Sequence, residues 1–158
     1  MTEHDFDNLA QTVARTAQKG GRTIAVAESL TSGRLLSELG RGEAASEWLR
    51  GGVVAYSTEV KQQVLQVSEG PVVSARCAEE MAAGVARLLD ADVAVSTTGV
   101  GGPDPEEGRE PGTVYLGWWS HGRSGSELHM FDGDPAQILE DTAAAALALL
   151  AQVLDSVR

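Results

Sequence analysis

The sequence predicts an α/β domain in which helices cover both faces of a mixed sheet. Three observations carry this expectation. Short β-rich runs alternate with helical patterns through the first two thirds of the chain, and two of those runs are apolar almost throughout, as in strands buried on both faces. Later, two strand-like runs lie too close together in sequence for a crossover, which makes them an antiparallel pair.

Residues 5–19 set Phe6, Leu9, Ala10, Val13, Ala14 and Ala17 on one face and stop at Gly20 and Gly21, the pattern of an amphipathic helix. His4 falls in a stretch expected to fray. The runs "TIAVA" (23–27), "GVVAYS" (52–57) and "DVAVST" (92–97) read as strands. Helical segments are expected at 30–39, 44–49, 58–66 and 74–90, the last with Cys77, Met81, Val85, Leu88 and Leu89 on one side.

"TVYLGWW" (113–119) and "ELHMF" (127–131) flank "SHGRSGS" and predict a hairpin. In "DPAQ", Asp134 is the expected N-cap, Pro135 opens the helix and Gln137 takes the capping-box position. The helix should run to about residue 155, with Ile138, Leu139, Leu147, Leu150 and Leu154 as core contacts. With five strands, no repeat and no linker, residues 1–158 read as one domain. The lengthy irregular segment is 99–112, and a long loop in a compact domain is often functional.

A chain of 158 residues can bury roughly two thirds of the surface it exposes when unfolded, enough for a core without disulfides. Cys77 is the single cysteine and reads as a small core residue, and His4, His121 and His129 lack ligand spacing, so no metal site is expected. No apolar run reaches the roughly 18 residues that cross a bilayer, and "MTEHDFDN" is acidic where a signal peptide is basic, which predicts a cytoplasmic protein. A net charge of −11 disfavours duplex nucleic acid and anionic membrane as partners. Trp48, Trp118 and Trp119 suit an oligomer interface or the core equally well.

Three segments can carry chemistry. In "AESLTSGRLL", Ser29 stands where a strand gives way to a helix, a place where a serine caps the helix and where an exposed hydroxyl also meets backbone N–H groups able to hold an oxyanion. A serine nucleophile needs a base, and no histidine is well placed. "YSTEVKQQ" offers one: with Thr58 as cap, Lys61 falls in the first helical turn, where the positive helix end and partial burial both favour the neutral amine. Tyr56, at the end of a strand, can relay or donate a proton. The plain alternative is a solvated lysine and a packed tyrosine. "STTGVGGPDP" sets Thr98 and Gly99 at the mouth of the sheet, where α/β folds bind ligands, but lacks the spacing of a dinucleotide or P-loop motif. The acidic "DPEEGRE" reads as a solvated loop.

Taken together, "AESLTSG", "GGVVAYSTEVKQ" and "STTGVGGP", in this order and followed by "PGTV", resemble the carboxy-terminal domain of the CinA family over about residues 7–155. The resemblance implies a three-layer α/β/α fold with a five-stranded mixed sheet. Many members carry a molybdopterin-binding-like amino-terminal domain, which is not expected within this chain. The stand-alone form is similar to nicotinamide-nucleotide amidases, which convert nicotinamide mononucleotide to nicotinate mononucleotide and ammonia. That similarity implies Ser29 as nucleophile with Lys61 and Tyr56 assisting, Thr98 and Gly99 at the substrate, and Thr31, Gly33 and Gly102 shaping the pocket. It implies a small nucleotide substrate, no cofactor, no metal and a homo-oligomer. Glu28 is either a support for Ser29 or a substrate contact.

The chain departs from the family pattern at Ser32, where a glycine is usual, and at Glu110, where the loop usually ends in lysine before proline. Pro135 and Leu139 stand where the family commonly has arginines suited to a phosphate, leaving Arg34 and Arg50 as candidate replacements. Two readings follow: an amidohydrolase, or a non-catalytic or substrate-divergent binding protein tied to competence or DNA-damage responses.

Overall fold

The computed structural model describes residues 2–157. Within them the order is α1 (Glu3–Gly20), β1 (Ile24–Glu28), α2 (Arg34–Leu39), α3 (Ala45–Trp48), β2 (Leu49–Val54), α4 (Thr58–Leu65) and α5 (Ala75–Leu89). There follow β3 (Val93–Gly99), β4 (Thr113–Ser120), β5 (Arg123–Met130) and α6 (Pro135–Ser156). The strands form one five-stranded mixed sheet in the order β2-β1-β3-β4-β5. The first three are parallel, while β4 and β5 run antiparallel.

Strand alternation sorts the core into two layers. Ile24, Val26, Val93 and Val95 face the layer of α1, α2, α3 and α6, whereas Ala25, Ala27 and Ala94 face α4 and α5. The small residues on the second face let α5 lie close to the sheet, and the Ser96 hydroxyl donates to the Ala78 carbonyl across that contact. A Cβ at Gly84 of α5 would run into the Leu65 backbone at the end of α4, so glycine sets how near these helices come. Each layer has its own apolar cluster, and between them the central strands β1 and β3 are buried on both faces, whereas the edge strands β2 and β5 are only partly covered, so the apolar run 52–57 is not a doubly buried strand.

Several expectations change in detail. Thr2 and Asp5 form a capping box, so His4 lies in the first turn of α1 rather than in a frayed end. β2 begins and ends earlier than its apolar run suggests, because pairing with Ile24–Glu28 selects Leu49–Val54. The hairpin is tight: Ser120 pairs with Arg123, and His121 and Gly122 between them both have positive φ, the two-residue turn that matches strand twist. Leu88 is exposed on α5, and Leu139 of α6 is only half-buried. Trp48 is a core residue whose Nε1 donates to the Glu43 carbonyl, while Trp118 and Trp119 are partly buried. α6 is long and apolar enough to cross a bilayer by composition, but its buried residues pack against the sheet as a core helix.

Candidate active site

The carboxyl ends of the parallel strands open into a cavity of about 600 Å³. Such a position is where open α/β sheets bind ligands, since the loops leaving adjacent strands diverge there. The turn after β1 supplies Ser29, the segment after β2 supplies Tyr56 and then Lys61, and the end of β3 supplies Thr98 and Gly99.

Ser29 is anchored through its backbone. Its N–H donates to the Thr97 carbonyl at 3.1 Å and to Thr97 Oγ1 at 3.3 Å, and Thr31 Oγ1 shares a 2.9 Å hydrogen bond with Thr97 Oγ1. The turn is therefore tied to β3. The expected capping role of Ser29 passes to its neighbour: α2 begins only at Arg34, and the Glu28 carboxylate accepts from the N–H groups of Gly33 (3.2 Å), Leu35 (3.0 Å) and Leu36 (3.0 Å). A glutamate reaches forward to a helix that starts at Arg34, which a serine side chain cannot. Glu28 is fully buried and does not line the cavity, so it supports the turn rather than touching a ligand. The Ser29 hydroxyl makes no hydrogen bond among the described residues and lies against the cavity.

Ser57, not Thr58, caps α4, its Oγ accepting from Val60 N at 3.2 Å, because its extended backbone aims the hydroxyl at the first free N–H groups. Lys61 is then the fourth residue of the helix and only 2% exposed, although it carries an amine. Its Nζ donates to the Tyr56 carbonyl at 3.0 Å. Burial lowers the Lys61 pKa below its usual value, and nearby Cys77, Glu106 and Glu107 oppose that shift. The Cys77 thiol behind it is pushed up to about 11, again by burial. Tyr56 holds Lys61 through its backbone, while its side chain is 69% exposed on the cavity rim.

The third wall is residues 100–112, whose neck closes through Val100 N to the Thr113 carbonyl and Gly112 N to the Val100 carbonyl. The acidic stretch is not simply solvated. Glu107 accepts from Val72 N at 3.0 Å and Val73 N at 2.8 Å, because that extended segment has N–H groups without strand partners. Thr98 Oγ1 donates to the Val72 carbonyl at 2.7 Å and completes the tie between loop, segment and strand.

Of the residues singled out by sequence, Ser29, Tyr56, Lys61, Thr98, Gly99 and Gly102 line the cavity. Thr31 and Gly33 stand behind its wall and hold the Ser29 turn. Sequence reasoning missed Glu106 and Glu107, whose only signal is a polar loop too long to be idle, and Val72 and Val73, in the segment between α4 and α5, which carry no such signal. Pro135 and Leu139 both line the cavity. Neither candidate replacement reaches it: Arg34 lies over the Phe6 ring and pairs with Glu38, and Arg50 Nε donates to the Leu89 carbonyl. Among the described residues no group of histidine, cysteine or acidic side chains is arranged to hold a metal.

The fold and site together define a three-layer α/β/α domain with a cavity at its strand ends, lined by a buried lysine. The chain belongs to the CinA family, matching its C-terminal domain over residues 6–154. It is 40% identical over 134 residues to a protein of Bacillus velezensis provisionally named competence-damage inducible, an alignment covering 82% of this chain and 32% of that protein. A Bacillus subtilis protein with the same provisional name is 39% identical over 133 residues, covering 81% and 32% respectively. The chain thus spans about a third of the length of the curated relatives it matches. Among solved structures, a competence-damaged protein (CinA) superfamily protein of Klebsiella pneumoniae is 31% identical with a TM-score of 0.92, covering 96% of this chain and 98% of that one. One from Escherichia coli is also 31% identical with a TM-score of 0.92, covering 97% and 93%.

Proposed function

We infer that this chain is an amidohydrolase that converts nicotinamide mononucleotide, or a related small amide, to the corresponding acid and ammonia. The observation that carries this reading is a lysine withdrawn from solvent in the cavity that Ser29 lines. A lysine serves as a base only when neutral, and burial favours that form of Lys61. The amine can keep one N–H on the Tyr56 carbonyl while its lone pair receives the Ser29 proton. Ser29 Oγ and Lys61 Nζ are not hydrogen-bonded to each other, and such contacts tighten when substrate binds.

In this mechanism Lys61 takes the Ser29 proton and Oγ attacks the carboxamide carbon. Backbone N–H groups of the glycine-rich turn hold the oxyanion that forms. The Lys61 ammonium returns its proton to the amide nitrogen, the C–N bond breaks and ammonia leaves an acyl-enzyme. Water then gives a proton to Lys61 and attacks the ester, and Oγ departs with that proton. Tyr56 offers a hydrogen bond to the substrate from the rim without changing its own protonation, Thr98, Gly99 and Gly102 seat the substrate, and Thr31 and Gly33 hold the nucleophile's turn. No cofactor or metal takes part in these steps.

The test is to incubate the purified protein and its Ser29→Ala variant with nicotinamide mononucleotide and with phosphate-free amides, measuring ammonia and acid. Release by the wild type alone is expected; equal release by a folded Ser29→Ala variant would sink the mechanism. A second reading, a binding protein without turnover linked to competence or DNA damage, draws support from Pro135 and Leu139 on the cavity wall. It expects ligand binding with no ammonia and little effect of Lys61 variants on binding. The cytoplasm and a homo-oligomer belong to the first reading, and size-exclusion chromatography tests the latter.

A further inference from the structure

The charges around the cavity narrow the substrate class further, in a way that rests on the amidase reading for turnover but not for binding. Glu106 and Glu107 both line the cavity, and among the described residues Lys61 is the only cationic side chain that does. Lys61, although it lines the cavity, is buried with its Nζ held on the Tyr56 carbonyl and serves as the base of the proposed mechanism, which leaves it a poor anion clamp. Glu106 is exposed there.

Open helix N-termini can also receive an anion, because their first N–H groups lack partners. The helices that begin at this rim, α4 and α6, each have one of their first N–H groups taken by a capping side chain. Ser57 caps α4, with Glu59 in its first turn, and the Asp134 carboxylate accepts from Gln137 N on α6, where Pro135 has no N–H to offer. Leu30, Val72, Val73, Pro135 and Leu139 make up an apolar part of the wall. A phosphate dianion would lose hydration here, face carboxylates and find no guanidinium. The net charge of −11 adds repulsion at long range.

We propose that the cavity selects primary carboxamides without a phosphate, neutral or cationic, such as a pyridinium carboxamide on a bare ribose. Nicotinamide riboside and nicotinamide mononucleotide differ only by that phosphate and isolate its effect. Steady-state ammonia release should give the riboside a kcat/KM at least about tenfold above the mononucleotide, the scale of one charge-assisted hydrogen bond. Leu139→Arg, which adds a guanidinium to the wall, should raise kcat/KM for the mononucleotide about ten- to a hundredfold. Glu106→Gln, an isosteric change at an exposed position, should narrow the gap between the two compounds. Equal or better use of the mononucleotide by the wild type overturns the proposal.

If neither compound releases ammonia, the amidase reading fails and calorimetric titration decides the selection by itself. Tighter binding of the riboside supports it. Tighter binding of the mononucleotide, or no binding of either, overturns it.

Discussion

Glu28→Gln tests how the Ser29 turn is built. The Glu28 carboxylate is fully buried and receives three backbone N–H groups, Gly33 and Leu35 at one oxygen and Leu36 at the other. Each hydrogen bond to a charged group contributes about 1.5–3 kcal/mol, and neutral ones about half that. The glutamine oxygen can keep Gly33 and Leu35 as neutral bonds, but its NH₂ then faces the Leu36 N–H, donor against donor. Flipping the amide is worse, because two N–H groups would meet it. The bonds alone amount to a loss of about 3–6 kcal/mol, and escape from the cost of burying a carboxylate offsets part of it, leaving about 2–4 kcal/mol, with about 3–5 kcal/mol for Glu28→Ala, large beside the roughly 5–15 kcal/mol that holds a domain folded. Urea denaturation followed by circular dichroism at pH 7 measures both. A Glu28→Gln midpoint equivalent to less than about 0.5 kcal/mol of change, below the usual effect of losing a helix cap, would refute the assignment of Glu28 as the cap of α2.

Three other outcomes are expected. Lys61→Met should abolish turnover while leaving stability at pH 7 equal or higher, since an apolar chain of similar length replaces a buried amine. Because the folded pKa of Lys61 lies below 10.5, the unfolded chain holds a proton that the folded chain has shed between the lowered value and 10.5, so wild-type stability gains from this group as pH rises through that window. Lys61→Met should lose that gain in urea titrations across alkaline pH; lower stability at pH 7 would count against the burial argument. Cys77, buried with its thiol pushed up to about 11, should resist a thiol-disulfide reagent at pH 8 in the folded protein and react fully in urea, whereas rapid reaction of the native protein would contradict its place in the core. Gly84→Ala, whose new Cβ meets the Leu65 backbone, should cost about 1–3 kcal/mol and reduce turnover by moving the helix that carries Lys61, and an unchanged thermal midpoint would refute that packing.

The sequence by itself determined the alternation of strands and helices, the antiparallel pair and the cap of α6, because apolar periodicity and local capping chemistry act over a few residues. It also marked Ser29, Lys61 and Thr98, since residues leaving the ends of parallel strands converge whatever the packing details. Tertiary structure alone decided that Glu28 rather than Ser29 caps α2, because that bond depends on how the chain turns between strand and helix. It decided that Leu88 faces solvent and Leu139 the cavity, since a helical pattern shows which residues are apolar but not which neighbour covers each one. It likewise drew Glu107 onto Val72 and Val73, 35 and 34 residues away in sequence, where unpaired N–H groups needed an acceptor that no local pattern could announce.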